Sequence, residues 1–211
     1  MYGSSRLAPP RAPVLIVIAV VITAVVGALA WTPRRPAGVD AWAAHALTVS
    51  RGSFPYRFAS RLDDTMRVLP VIAGSLAIAL VAWVLGRREA VVASLVVAPA
   101  TVADEQSLKL AGRRSLGLES FSFPSGRVAL ATSLILLLLL ILRAAGVQPF
   151  VRALVAVLGT GYVLAMAWAR VATGEHLLTD VVGGVSMGVA VTLVISVVLS
   201  AWRQRSPETD H

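Results

Sequence analysis

The chain contains no cysteine. Disulfides, thiolate nucleophiles and cysteine metal sites are therefore excluded. Histidine is scarce as well, with only His45, His176 and the terminal His211. A histidine-rich metal site is not expected, and neither is a cofactor. Charged residues make up only 14% of the sequence and aromatics 6%. Acidic residues are the rarer sign, 11 against 19 Lys and Arg, which leaves a net charge of +8. The basic residues do not interleave with aromatics, and no RNA- or DNA-binding motif is present. Nucleic acid is therefore not an expected partner. In a membrane setting the positive charge points to anionic headgroups or an anionic substrate.

Apolar residues fill the rest. The sequence is 57% hydrophobic with a mean hydropathy of +0.79. That is too apolar for a soluble domain and fits a polytopic membrane protein. Six apolar segments stand out: Val14 to Trp31, Val68 to Leu85, Ala90 to Leu110, Gly126 to Leu142, Phe150 to Ala169 and Leu177 to Trp202. Each is near the length needed to cross a bilayer as a helix. Lipid leaves helix as the only sensible reading, because no backbone group can go unpaired there. The expected fold is an all-α bundle of six transmembrane helices. Pro99 and the polar run Asp104-Glu105-Gln106 make the third segment the weakest. Ala28-Leu29-Ala30 resembles a signal-peptide cleavage site, but the long apolar run before it reads as a retained span.

The expected plan is a tail over 1–13, one membrane domain over 14–202 and a polar tail over 203–211. An even number of spans puts both termini on one side. Arg6, Arg11, Arg87, Arg88, Arg143, Arg152, Arg203 and Arg205 fall on that side, which the positive-inside tendency makes cytoplasmic. The one long loop, 32–66, is then extracytoplasmic. Within it, Val39 to Ser50 reads as a short amphipathic helix offering Trp42, Leu47 and Val49 to the membrane surface. Arg51-Gly52-Ser53-Phe54-Pro55 breaks it. The loop is expected to be a lid or an interface element. Gly183, Gly184 and Gly188 read as a helix-packing face, for internal packing or for a dimer contact.

Three polar clusters share one face under this topology. Lys109, Arg113 and Arg114 end the third span. Pro124-Ser125-Gly126-Arg127 opens the fourth. Arg170, His176 and Asp180 join the fifth and sixth. His176 and Asp180 are four apart, which on a helix places them on one face about one turn from each other. A carboxylate there can hold one imidazole nitrogen and leave the other free to attack. Arg170 can bring a positive fork to an oxyanion. Pro124-Ser125-Gly126 looks like a helix start, where backbone N–H groups can approach an anion. Two structural alternatives stay open: Lys109 paired with Glu105 one turn earlier, and Ser125 as a plain helix cap.

These clusters resemble the motifs of the type 2 phosphatidic acid phosphatase (PAP2) superfamily. The third motif, an arginine, five residues, a histidine, three residues and an aspartate, is matched in full by Arg170, His176 and Asp180. The second, Pro-Ser-Gly-His, is matched at Pro124, Ser125 and Gly126, with Arg127 in the histidine's place. The first is degenerate, with Lys109 present and Arg113 and Arg114 following early. The resemblance implies a PAP2/haloperoxidase-like core and a membrane lipid phosphate or diphosphate phosphatase in a bacterial-type plasma membrane. It implies His176 as the nucleophile forming a phosphohistidine and Asp180 as its partner. Lys109, Arg113, Arg114, Ser125, Gly126, Arg127 and Arg170 would bind the substrate phosphate. No metal or cofactor is implied. The implied partners are the lipid substrate and membrane lipids, with a homodimer or larger membrane complex open.

Arg127 departs from the family pattern. By resemblance, the histidine at this position protonates the leaving oxygen. Arginine holds its proton too tightly to donate it, and general acid catalysis is worth roughly 10²–10⁴ in rate. Two readings follow. The protein is a catalytically impaired PAP2-like subunit that binds lipid or supports a membrane complex. Alternatively, its substrate has a leaving group that needs no proton. A lipid alkoxide leaves poorly. A phosphate leaving from a diphosphate has a second pKa of about 6 and departs as an anion, which favours a polyprenyl or other lipid diphosphate. His45, on the first loop, is a candidate replacement acid.

Overall fold

The computed structural model describes residues 6–30, 38–116 and 122–205, with the side chains of 113–116 outside that description. Among the described residues every regular element is an α-helix. In chain order these are α1 (Ala12–Ala30), α2 (Val39–Leu47), α3 (Phe54–Asp64), α4 (Val68–Val84), α5 (Arg88–Leu116), α6 (Gly126–Ala144), α7 (Pro149–Ala172) and α8 (Leu178–Arg205).

Four of them, α1, α6, α7 and α8, are each long and apolar enough to cross a membrane. The pair α3–α4, bent by 56° at its break, brings the number to five at most. By length and composition, the described helices do not confirm the expected count of six. Helix α4 has 17 residues, about 25 Å at 1.5 Å per residue, which falls short of a hydrocarbon core of about 30 Å. Helix α5 has 29 residues, but its two ends carry Arg88, Glu89, Asp104, Glu105 and Lys109.

Helices α6 and α8 form the middle of the bundle. Some 67% of the apolar window of α6 is buried, against 11% for α7. The leucine run of α6 fills the core, since Leu134, Leu137 and Leu140 are all buried in its main apolar cluster. Large apolar residues exposed along α1, α4 and α7, such as Val17, Leu80 and Leu158, present a surface suited to lipid.

The glycines of α8 explain the close packing. A Cβ on Gly184 would stand 2.5 Å from the Ser125 carbonyl oxygen, and one on Gly188 2.6 Å from that of Ala129. The face foreseen for packing or dimerisation is used inside the chain, against α6. Phe123 is buried between α1 and α8, its ring against Gly27 and Gly183. Hydroxyls bridge the helices deeper in: Thr101 to Ser133 at 3.0 Å, and Thr23 to Ser186 at 2.8 Å. Small residues and interhelical hydroxyls hold helices together where lipid supplies no hydrophobic drive.

One end of the bundle gathers the first and last described residues. The Ala8 N–H donates to Ser200 Oγ, Arg143 donates to the Arg6 and Leu7 carbonyls, and Arg203 pairs with Glu89 at 3.0 Å. Helix α8 runs to Arg205, past the expected end at Trp202. The opposite end carries α2, α3 and the α7–α8 turn. Helix α3 was not foreseen, although Ser53 caps it by accepting from the Tyr56 N–H and Pro55 stands in its first turn. It packs on α7, where Thr65 and Tyr162 share a hydrogen bond and Phe58 meets Trp168.

Candidate active site

The α7–α8 turn builds the centre of the site. Helix α7 stops at Ala172, and Gly174, at φ +75°, lets the chain reverse. The N–H groups of Glu175 and His176 both donate back to the Arg170 carbonyl at 3.2 Å. Helix α8 begins only at Leu178. His176 and Asp180 therefore do not share a helical face, as their spacing suggested, because the reversal puts His176 before the helix. They meet through the cap instead. Asp180, in the first turn, reaches back so that one oxygen, Oδ2, lies 3.1 Å from His176 Nδ1 and accepts from the Leu177 N–H at 3.1 Å. That reach is half of a capping box. A carboxylate can only accept, so a neutral imidazole in this contact carries its proton on Nδ1 and leaves the lone pair to Nε2. Both side chains are buried, Asp180 to 2% exposure.

The second cluster is tied to the third through the main chain. The Ser125 N–H donates to the Asp180 carbonyl at 2.9 Å. Ser125 occupies the cap position of α6, but its hydroxyl makes no cap bond. Its Oγ is fully buried, with no hydrogen-bond partner among the described residues. Nε of Arg170, in a residue 7% exposed, is likewise buried and unpartnered. Two buried donors without acceptors are costly unless something completes them.

The cations of the site are matched by carboxylates. Lys109 pairs with Glu105 at 2.6 Å. The Glu105 carboxylate fills the space where a side chain on Gly126 would stand, so an internal anion already lies at the start of α6. Arg170 Nη1 pairs with Asp63 at 2.7 Å and with Glu175 at 2.5 Å. Arg127 pairs with the other oxygen of Asp63. Arg113 and Arg114 fall within α5, but their side chains lie outside the described residues. His45 is exposed in the last turn of α2.

Lys109, Ser125, Gly126, Arg127, Arg170, His176 and Asp180 are thus linked, contact by contact, at one end of the bundle. The family profile described as the PAP2 superfamily matches residues 96–204, just over half the chain and all three clusters. The chain belongs to the PAP2 superfamily. A crystal structure of a transmembrane PAP2 type phosphatidylglycerolphosphate phosphatase from Bacillus subtilis has a similar fold. The two superpose with a TM-score of 0.63 at 15% identity, over 95% of this chain and 99% of the other. Comparison with curated proteins returns no significant match.

Sequence reasoning missed two site residues of this PAP2 protein. Asp63 bridges Arg127 and Arg170 from α3. Asp40, on α2, accepts from both the N–H and the hydroxyl of Thr179 at 2.9 Å. Both lie in the loop read as a lid or an interface element. Asp40 and Asp63 are scarce carboxylates in an arginine-rich loop, and that was the signal on offer.

Proposed function

We propose that this protein is a membrane phosphatase acting on lipid diphosphates, through a phosphohistidine on His176. The carrying observation is the His176–Asp180 pair, tied by main-chain hydrogen bonds to Ser125 and Arg170, whose Oγ and Nε are unpartnered among the described residues. In this reading Nε2 of His176 attacks the terminal phosphorus. The bridging P–O bond breaks, and a lipid monophosphate leaves. Ser125 and Arg170 donate to oxygens that gain charge as the bond forms. Asp180 holds the imidazole in the attacking tautomer and stabilises the cation formed on it. Water then hydrolyses the phosphohistidine and releases inorganic phosphate.

Arg127 offers no proton, and Asp63 already engages one of its nitrogens. A phosphate leaving group suits that arrangement, since it departs as an anion. A lipid substrate is supported by an apolar groove of about 400 Å³ between α4 and α5. Its wall includes Met66, three residues beyond Asp63, and Leu130, three beyond Arg127 on α6. We read α4 and α5 as crossing the membrane with the other four helices, and the termini as cytoplasmic. The Arg113 and Arg114 assignments to phosphate belong to the same proposal.

The pairing of Arg127 with Asp63 also favours a second reading, an impaired relative that binds lipid phosphates without turnover. Purified protein assayed for phosphate release from a polyprenyl diphosphate, a polyprenyl monophosphate and a phosphatidate separates the two. Release from the diphosphate that His176→Ala abolishes supports the enzyme. No release from any of the three, with lipid binding retained, favours the second reading.

A further inference from the structure

We propose that Asp63 is a positioning residue of the phosphate site, fixing Arg170 through one carboxylate oxygen and Arg127 through the other. The proposal rests on the phosphatase reading above and adds a residue that none of the three motifs contains.

Asp63 is buried, at 8% exposure, and both of its oxygens are engaged. A guanidinium is a rigid planar fork. Holding Nη1 therefore fixes where Nε points. The Nη1 of Arg170 is held twice, by Asp63 at 2.7 Å and by Glu175 at 2.5 Å, while Nε has no partner. Asp63 thus leaves a donor open and fixes its direction. Oriented donors that need no rearrangement are what a developing oxyanion requires.

Asp63 could instead occupy the phosphate's own place and have to be expelled. The free donors argue against that. Among the described residues, Ser125 Oγ and Arg170 Nε stay unpartnered with Asp63 in position, so Asp63 does not itself take the donors a phosphate would use.

The carboxylate stands on a fixed support. Asp40 caps Thr179, the Val49 N–H donates to the Ala172 carbonyl at 3.0 Å, and Thr65 bonds Tyr162. These ties brace the loop on both sides of Asp63 against α7 and the start of α8. Asp63 and Arg127 also form a matched pair: an arginine at residue 127 brings a charge into a half-closed site, and Asp63 neutralises it.

The test is inorganic phosphate binding to the purified, detergent-solubilised full chain, read by calorimetry beside thermal unfolding. Asp63→Asn keeps the shape and removes the charge. It should weaken phosphate binding roughly tenfold or more, as misaligned groups do, and Asp63→Glu should recover part of the loss. Arg170→Gln should weaken binding at least as much. If Asp63→Asn binds phosphate as tightly as wild type, or more tightly, while Arg170→Gln still weakens it, the positioning role is lost and the phosphate site stands. If Arg170→Gln has no effect, the phosphate site itself is wrong and the role of Asp63 goes with it. Should Asp63→Asn fail to fold, the charge-neutral double variant Asp63→Asn with Arg127→Gln takes its place. It should bind phosphate more weakly than Arg127→Gln alone, and equal binding by the two would overturn the proposal.

Discussion

The Ser125 N–H donates to the Asp180 carbonyl at 2.9 Å. One main-chain bond therefore sets the serine of one motif against the aspartate that holds His176. The bond forms because α6 and α8 approach closely at Gly184, and any registry error there would reach both motifs at once.

Replacing Gly184 tests that dependence. A Cβ would stand 2.5 Å from the Ser125 carbonyl oxygen and 3.3 Å from Val128 Cβ. The first neighbour is backbone and cannot swing away. Gly184→Ala should lose about 1–3 kcal/mol, the usual range for overpacking, with a clear drop in the melting temperature in detergent. Gly161 on α7 has nothing within 4 Å of its Cβ position. Gly161→Ala should be neutral, or stabilising by up to about 1 kcal/mol. Equal losses at the two sites would show that the α6–α8 approach is not special.

Asp180→Asn keeps an acceptor for the Leu177 N–H but removes the charge facing His176 Nδ1. The helix start should survive and the attacking tautomer should not be held. We expect kcat on a lipid diphosphate to fall about 10²–10⁴-fold, with little change in melting temperature. A variant within threefold of wild-type kcat would remove Asp180 from the mechanism.

The spacing of residues in sequence made part of this legible. Arg170, His176 and Asp180 stand close together, and their contacts are local. The Lys109–Glu105 pair could be anticipated from its one-turn separation. The glycines of α8 announced a close helix contact, though not with which partner. Asp63 was not legible, because it meets Arg170 across 107 positions and Arg127 across 64. Nothing periodic links them. The six-span count is not confirmed by length and composition, because apolar runs show length poorly where helices bend, as α3 and α4 do, or carry charged residues, as α5 does. The geometry joining His176 to Asp180 was also missed. The i to i+4 spacing suits a helix, yet Gly174 turns the chain just before it.

Arg127→His would put a proton donor where the family has one. Asp63 would then face an imidazole and favour its protonated form. Turnover of a monophosphate ester should rise by up to about 10²-fold, while diphosphate turnover should change far less. Arg127→Ala should lower diphosphate turnover, through lost charge at the leaving group. No gain by Arg127→His on any monophosphate would show that proton donation does not limit this site.

Orientation can be read directly. The arginines at the end that carries the termini point to a cytoplasmic N- and C-terminus. A reporter fused after Trp202 should read cytoplasmic, and one inserted between Arg51 and Arg61 should read the opposite side. The reverse result would move the site into the cytoplasm and change its substrate pool.

The groove between α4 and α5 gives the last prediction. Met66, Val71, Ile72, Leu76, Leu95, Val102 and Leu130 line it, with Ser75 buried in its wall and its hydroxyl unpartnered. If a substrate chain lies there, Ser75→Phe fills part of its path. Excluding two or three methylenes at about 0.8 kcal/mol each should raise KM for a long-chain lipid diphosphate roughly 10- to 60-fold. A short, water-soluble phosphate ester does not use the groove, so its KM should stay near the wild-type value. Its turnover also controls for folding, because a distorted bundle would slow both substrates alike. Equal effects on the two would mean that the chain runs elsewhere along the bundle.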